Sequence, residues 1–324
     1  MNRNKIKKVP VKKANSKKDV DKKKYESSSY FAKAWEISER SVRNYCALGR
    51  IDNAYLDGKT WYIPINAEKP ERTNKSSNKK NHLLDRLIKE KKSKINGGIY
   101  YKIQIDLTYN SNHIEGSKLT HEETRYIFET NTIPPKSDIP TRVDDIVETI
   151  NHFKLLDYML KVSDKKLTES MIKEFHKVLK TSTSDSAKVW FRVGDYKILE
   201  NQIGEEKTVL PNKVPQEMKK LLETYNSKKN ITIEDIIDFH AKFEAIHPFQ
   251  DGNGRVGRII MFKECLKHNI IPFIILDSDK YFYYRGLKEY KKEKGYLIDT
   301  CLNAQDQYKA AMEYFLKGYT KLNK

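Results

Sequence analysis

The sequence predicts a mainly α protein built in two parts, and three observations lead there. Beyond about residue 82, apolar residues recur at helical spacing, with Ser, Thr, Gly and Pro where helices should start and stop. Only two stretches, 55–64 and 191–211, read as β-prone, and glycine interrupts both. The charge is also divided. Residues 1–100 hold 26 Lys and Arg against 11 Asp and Glu, whereas the rest of the 324-residue chain holds 36 against 33. A basic front and a near-neutral body predict modules with different partners. No apolar run approaches the roughly 20 residues of a membrane helix, and no apolar stretch follows the basic N-terminus. Neither a membrane span nor a secretory signal is therefore expected. Cys46, Cys265 and Cys301 form no paired motif. This predicts neither disulfides nor zinc, and a cytoplasmic setting.

Residues 1–25 lack periodic apolar positions and are expected to be a disordered basic tail. Order is expected over 26–68. Ser29 can cap a short helix carrying Phe31, Ala34 and Trp35, and Ser38 a second one with Val42, Tyr45 and Cys46 on one face. Gly49 sits where a glycine would stop it. In YLDGKTWYIP (55–64), Asp57-Gly58 separates two β-prone runs, a hairpin pattern. Two helices and a hairpin predict a small winged helix-turn-helix domain. Its second helix would present Glu39, Arg40, Arg43 and Asn44, with Arg40, Arg43 and Asn44 as candidate DNA contacts. A protein-docking module of the same fold is the alternative. The stretch resembles excisionase-like and MerR-like DNA-binding domains over about 40 residues.

The polar, Pro- and Ser-containing 69–81 reads as a linker to a helical domain over 82–324. Thr120 and Glu123 form a capping box ahead of RYIFET. Further helices are expected near 142–161, 169–180, 214–226, 233–247, 255–268, 281–292 and 296–316. The patch at 191–211 is expected to be a hairpin or flap.

The most unusual segment is HPFQDGNGRVGR, residues 247–258. Pro248 should end the preceding helix, which Thr232 can cap, and hold His247 at its end. A new helix should begin near Arg255. Gly252, Asn253 and Gly254 would let backbone N–H groups converge at its start, a nest that suits phosphate oxygens. Arg255 and Arg258, three apart, share a face and can neutralise more phosphate charge. Asp251 is a hard oxygen ligand that suits Mg²⁺. His247 is the one group in the segment able to serve as a base near neutral pH. Together these residues describe a nucleotide polyphosphate site. Phe249 and Ile246 are expected to pack rather than react.

The segment resembles the Fic-domain signature, HPFx[D/E]GNGRxxR, at every defined position. Outside it, LTESMIKEFHKVLK (167–180) looks like an earlier core helix of that family. The patch 191–211 looks like its flap, and DKYFYYRGLKEY (279–290) like its Tyr-Tyr-x-x-Leu region. The resemblance covers about residues 82–315. It implies a Fic-type helical core and transfer of AMP from ATP, with Mg²⁺, to a Ser, Thr or Tyr hydroxyl of a protein. It further implies that His247 deprotonates the target and Asp251 holds Mg²⁺. Gly252, Asn253 and Gly254 would form the anion nest, Arg255 would hold the inner phosphates and Arg258 the γ-phosphate. Tyr283 and Tyr284 are candidate adenine contacts, with core packing the equal alternative. The related Doc kinase carries lysine where this chain has Gly254, which favours AMP transfer over phosphate transfer.

Upstream, Ser111-x-x-x-Glu115-Gly116 resembles the family's inhibitory motif in the class that places it before the core. The resemblance implies that Glu115 pairs with Arg258 and removes the γ-phosphate's partner. It also leaves AMP removal by the same glutamate open. The target, including the protein itself, and the oligomeric state are not written in these residues. Two competing functions stand beside AMP transfer: a DNA-binding regulator that senses nucleotide, and another nucleotide-derived transfer on the same scaffold.

Overall fold

A computed structural model describes residues 24–70 apart from Ser38 and Leu48, 82–133, and 141–322 apart from Glu205. Most of the expected tail and linker, and the expected cap Ser38, lie outside these residues. The chain divides into two compact units, Met1–Arg72 and Thr73–Lys324.

In the first unit, strand β1 (Tyr25–Ser27) leads into helices α1 (Ser28–Ala34) and α2 (Glu39–Ala47), then strands β2 (Tyr55–Asp57) and β3 (Thr60–Pro64). The sheet runs β1-β3-β2, antiparallel throughout, with Tyr25 opposite Pro64 and Asp57 opposite Thr60. The sequence predicts the hairpin but not β1, whose three residues are too few to show a period. The cap of α1 is Ser27, not Ser29. Ser27 is still extended and accepts from Tyr30 N–H at 3.3 Å, whereas Ser29 is already helical. Gly49, at φ +65°, ends α2 as expected: its N–H donates to Cys46 O, and Arg50 N–H donates to Tyr45 O. Phe31, Val42, Tyr45, Cys46, Ile51 and Ile63 form this unit's own small core.

The second unit is mainly helical. Its helices are α3 (His82–Ser93), α4 (Ile99–Ile114), α5 (His121–Thr130), α6 (Val143–Lys161), α7 (Glu169–Lys180), α8 (Val214–Asn226), α9 (Ile233–Ile246), α10 (Asn253–Lys267), α11 (Lys280–Lys288) and α12 (Gly295–Leu322). Both bonds of the Thr120–Glu123 capping box are present, and Thr232 forms a second box with Asp235. Between α7 and α8, the strands among the described residues of the flap are the two-residue β4 (Gln202–Ile203) and β5 (Glu206–Lys207).

Helix α10 is the centre of this unit. Residues from Val256 to Leu266 are buried on every side, and α9, α7, α6 and α4 pack around it. A helix buried all round needs apolar residues on all faces, which Val256, Ile259, Ile260, Met261, Phe262, Cys265 and Leu266 supply. Its N-terminal half also carries two buried arginines, Arg255 and Arg258, which mark the site. All three cysteines are free and buried. Among the described residues no helix is long and apolar enough to cross a membrane.

Candidate active site

The loop from His247 to Gly252 joins α9 to α10, and its shape is fixed from inside. Asn253 is buried and returns two hydrogen bonds to Phe249: Phe249 N–H donates to Asn253 Oδ1, and Asn253 Nδ2 donates to Phe249 O, both at 2.8 Å. The Phe249 ring is fully buried and stacks on His176 with centroids 4.0 Å apart. His176 Nδ1 accepts from Gly194 N–H at 2.9 Å, and its other ring nitrogen lies 3.2 Å from Asp251 O. One neutral imidazole thus ties α7, the start of the flap and the loop together. Burial, with the Lys180 charge, holds its pKa down to about 3. The Asn253 side chain therefore fastens the loop and is not itself free for an anion.

His247 takes the left-handed conformation at φ 51°, and its N–H donates to Phe243 O. That geometry ends α9, and the side chain stays 19% exposed. The ring is hydrogen-bonded to the Glu244 backbone, and its Nδ1 lies 3.9 Å from Glu244 Oε2. Burial and the nearby Lys197 charge lower its pKa to about 4, so the ring is neutral at pH 7 and able to accept a proton.

Asp251 stands across the loop, half exposed, and is held by cations. Lys180 Nζ donates to its Oδ2 at 2.6 Å and Arg255 Nη2 at 3.2 Å. Burial works against its charge, yet Arg255 and Lys180 outweigh it and keep the carboxyl well below the usual range. Glu148 from α6 completes the network by accepting from both Lys180 and Arg255. Among the described residues no three His, Cys, Asp or Glu side chains are arranged to hold a metal. A single ionised, half-exposed carboxylate does fit Mg²⁺ of the kind whose remaining ligands are phosphate oxygens and water.

The N-terminus of α10 is the second half of the site. Gly252, at φ +82°, is its N-cap, and no side chain caps it, so the first-turn N–H groups lack helical partners. A carboxylate already lies there. A Cβ on Gly254 would fall 2.2 Å from Glu115 Oε1 and 3.0 Å from Arg258 Nη1. Arg258 Nη2 donates to Glu115 Oε1 at 2.7 Å, its Nε to Ser111 Oγ at 3.0 Å, and Nη2 also to Ser111 O at 2.9 Å. The pairing of Glu115 with Arg258 expected from their motifs is thus present. Glu115 is the C-cap of α4, and Gly116 at φ +99° lets the chain leave. The Glu115 charge outweighs burial and raises the Arg258 pKa further above its ordinary value.

The flap is pinned beside His247 by a buried lysine. Lys197 N–H donates to Pro248 O at 2.9 Å, and its Nζ donates to Asn201 Oδ1 and Thr208 Oγ1, both at 2.6 Å. Asn201 Nδ2 in turn donates to Phe249 O at 3.0 Å. Burial lowers the Lys197 pKa to about 8.

Not every expected residue joins the site. Tyr283 is fully buried, and its hydroxyl contacts His240 Nε2 at 2.7 Å and Arg258 Nη1 at 3.4 Å. Its ring has no surface to offer a base, so packing is the reading that holds. Tyr284 is 37% exposed, and its hydroxyl donates to Ile114 O beside Glu115. Phe249 and Ile246 are buried, as expected. In the first unit Arg40 and Arg43 are exposed and Asn44 half-buried, with Arg43 ion-paired to Glu39 at 2.5 Å. Sequence reasoning missed Glu148, His176, Lys180, Lys197 and Glu244. For one pair a signal existed: His176 and Lys180, four apart in FHKVLK, share a face of α7.

Comparison with known proteins bears on this arrangement. Residues 166–265 match the model of the Fic/DOC family. The chain carries a Fic/DOC domain. It is 28% identical over 188 residues to the protein adenylyltransferase Fic of Nematostella vectensis, covering 56% of this chain and 42% of that protein. It is 24% identical over 183 residues to a protein adenylyltransferase of Caenorhabditis elegans, covering 55% and 35%. The matched stretch thus spans less than half the length of either relative. Among solved structures, a Fic-domain signalling protein of Bacteroides thetaiotaomicron superposes with a TM-score of 0.53 at 25% identity, over 72% of this chain and 91% of that one. A Fic protein of C. elegans gives 0.55 at 20%, over 72% of each. The Fic-like helical fold is therefore shown, with the small three-stranded sheet as a feature of the N-terminal unit. The match reaches from just before α7 to near the end of α10, so it contains the loop and the part of α10 that hold His247, Asp251, Arg255 and Arg258.

Proposed function

We propose that this Fic/DOC protein is a protein adenylyltransferase held inactive by its own Glu115. One observation carries the reading: a carboxylate rests on the uncapped N-terminus of α10, against Gly254 and bonded to Arg258. An anion from the protein's own chain occupies a position built for anions. With Glu115 withdrawn, the same groups would receive the γ-phosphate of ATP at Arg258 and the inner phosphates at Arg255 and the α10 N-terminus. Asp251 would hold Mg²⁺, which neutralises phosphate charge when bound.

The chemistry follows from what the side chains can do. Neutral His247 takes the proton of a target Ser, Thr or Tyr hydroxyl at its Nε2. The hydroxyl oxygen bonds to the α-phosphorus, the bond from that phosphorus to the bridging oxygen breaks, and pyrophosphate leaves with the electron pair. The cations and N–H groups around the phosphates stabilise charge that is larger in the transition state. The target lies beside the flap, which Lys197 holds next to His247.

The test offers Glu115→Gly protein ATP labelled at the α- or γ-phosphate, with Mg²⁺ and cell lysate. Label from the α-position alone, raised at least tenfold over wild type and absent in Glu115→Gly with His247→Ala, is the expected result. Label from the γ-position alone would make the protein a kinase. No label in any folded variant would abandon the transferase. The competing reading, a nucleotide-sensing regulator acting through Arg40, Arg43 and Asn44, would then be tested by duplex binding with and without ATP.

A further inference from the structure

Next to the catalytic loop lies a groove that the proposed transfer of AMP leaves unused. It measures about 530 Å³ and runs between the flap, α8 and the last turns of α9. That volume falls within the roughly 300–1,000 Å³ of ligand pockets. Val209 of the flap, Leu221 of α8, and Ala245 and Ile246 of α9 give it an apolar lining. Around them stand four exposed lysines, Lys207, Lys220, Lys242 and Lys291, and a single carboxylate, Glu217.

The charge is a local excess. Residues 101–324 hold 36 Lys and Arg against 33 Asp and Glu, whereas the groove has four against one. Lys242 is ion-paired with Asp238 at 2.7 Å, and Asp238 also serves Lys294 at 3.3 Å. Lys207, Lys220 and Lys291 have no ion-pair partner among the described residues. A cleft lined by one sign of charge concentrates ligands of the opposite sign. The groove is also fastened to the base. Ile246 immediately precedes His247, and its carbonyl oxygen accepts from Lys197 Nζ at 3.5 Å. The same Nζ donates to Oγ1 of Thr208, another lining residue, at 2.6 Å. Lys197 thus joins the flap wall of the groove to its α9 wall, and its own N–H donates to Pro248 O in the catalytic loop.

Charge and lining together select the occupant. A single-stranded nucleic acid is held by stacking on aromatic rings as well as by cations, and no aromatic side chain lines the groove among the described residues. A second copy of this chain would bring a net charge of +18 with it. A peptide with Asp or Glu beside an apolar residue answers both features. We propose that the groove holds an acidic segment of the target protein, with carboxylates on the lysines and an apolar side chain against Val209, Leu221 and Ile246. The hydroxyl to be modified then stands a few residues away, beside His247. The groove selects among hydroxyls by the charge of their surroundings, which the phosphate site cannot do. The inference rests on the reading of a protein target, but its first test needs no AMP transfer.

That test is fluorescence anisotropy with three probes on nucleotide-free protein. They are a short peptide with glutamates around a leucine, the same peptide with glutamine in place of glutamate, and a single-stranded oligonucleotide. The acidic peptide should bind most tightly, and more weakly as salt rises. Lys220→Glu with Lys291→Glu should weaken it at least tenfold, because two attractive contacts become repulsive. Lys92→Glu with Lys161→Glu makes the same change of net charge on α3 and α6, and should weaken it less than twofold. The amide spectrum checks the fold of each variant. Equal binding of the glutamine peptide, tighter binding of the oligonucleotide, no binding of the acidic peptide, or an equal effect of the two lysine pairs would overturn the proposal. In the Glu115→Gly background the groove pair should cut labelling of lysate proteins at least tenfold and leave ATP affinity unchanged. Undiminished labelling would also overturn it. Absence of label without the groove changes would instead strike the transferase reading and leave the peptide result to stand.

Discussion

At the scale of single residues, the site depends on a few side chains that each hold two things at once. Asn253 is the clearest. Its amide spans Phe249 N–H and O, so it fixes the loop that carries Asp251 and presents the α10 N-terminus. Asn253→Ala leaves the buried Phe249 N–H unpaired, at about 1–3 kcal/mol, while Phe249 O keeps its bond from Asn201 Nδ2. Thermal denaturation should show a clearly lower Tm, and label transfer in the Glu115→Gly background should drop at least 100-fold, because a displaced loop misplaces every phosphate contact. Normal transfer with a lowered Tm would show that the loop does not depend on this amide. Asn253 also marks a limit of sequence reading. Its place in GNG pointed to backbone flexibility at an anion nest, and nothing local showed that its side chain faces inward to Phe249.

At the scale of elements, the helices were legible and their meeting was not. The run from Ile233 to Ile246 announces α9 by a capping Thr232, apolar spacing and Pro248 beyond its end, and the structure ends it at Ile246. The chemistry of HPFQDGNGRVGR was readable because the residues needed lie within twelve positions. Where Glu148 and Lys180 would reach was not readable. Each is an ordinary charged residue on an amphipathic helix, and only the packing of α6 and α7 against α10 brings Lys180 to Asp251 and Glu148 to Lys180 and Arg255. The flap was seen as β-prone, but its strands are two residues each. Its placement depends on Lys197, whose partners Asn201 and Thr208 lie across the turn. Strand β1 escaped because three residues carry no period.

At the scale of the whole molecule, the second unit has built its centre around buried titratable groups, and acid should reveal it. Burial lowers His152, His176 and His240 to about 3 and His247 to about 4. A histidine whose folded pKa lies below its unfolded value leaves the unfolded chain holding more protons between the two. Its stabilisation is whole above about pH 6.5 and fades as the pH falls towards the folded value. Glu244, raised to about 8, works in the opposite sense, because the folded state holds its proton between about pH 8 and 4.5. Four groups against one leave a net uptake of about three protons on unfolding near pH 5, a loss on the order of 4 kcal/mol per pH unit. Urea unfolding at pH 7, 6 and 5 should show the midpoint falling steeply below pH 6. A flat profile over that range would mean that these rings are charged in the fold.

In the proposed mechanism Glu115 stands where the γ-phosphate of ATP would stand. Calorimetric titration of ATP and of ADP, each with Mg²⁺, into wild-type and Glu115→Gly protein tests it most directly. In wild type the two nucleotides should bind within about twofold of each other, because Arg258 is already taken. In Glu115→Gly protein ATP should bind at least tenfold more tightly than ADP, a gain of about 1.4 kcal/mol from one charge-assisted contact. The same preference for ATP in both proteins would contradict the account and leave Glu115 as a structural partner of Arg258.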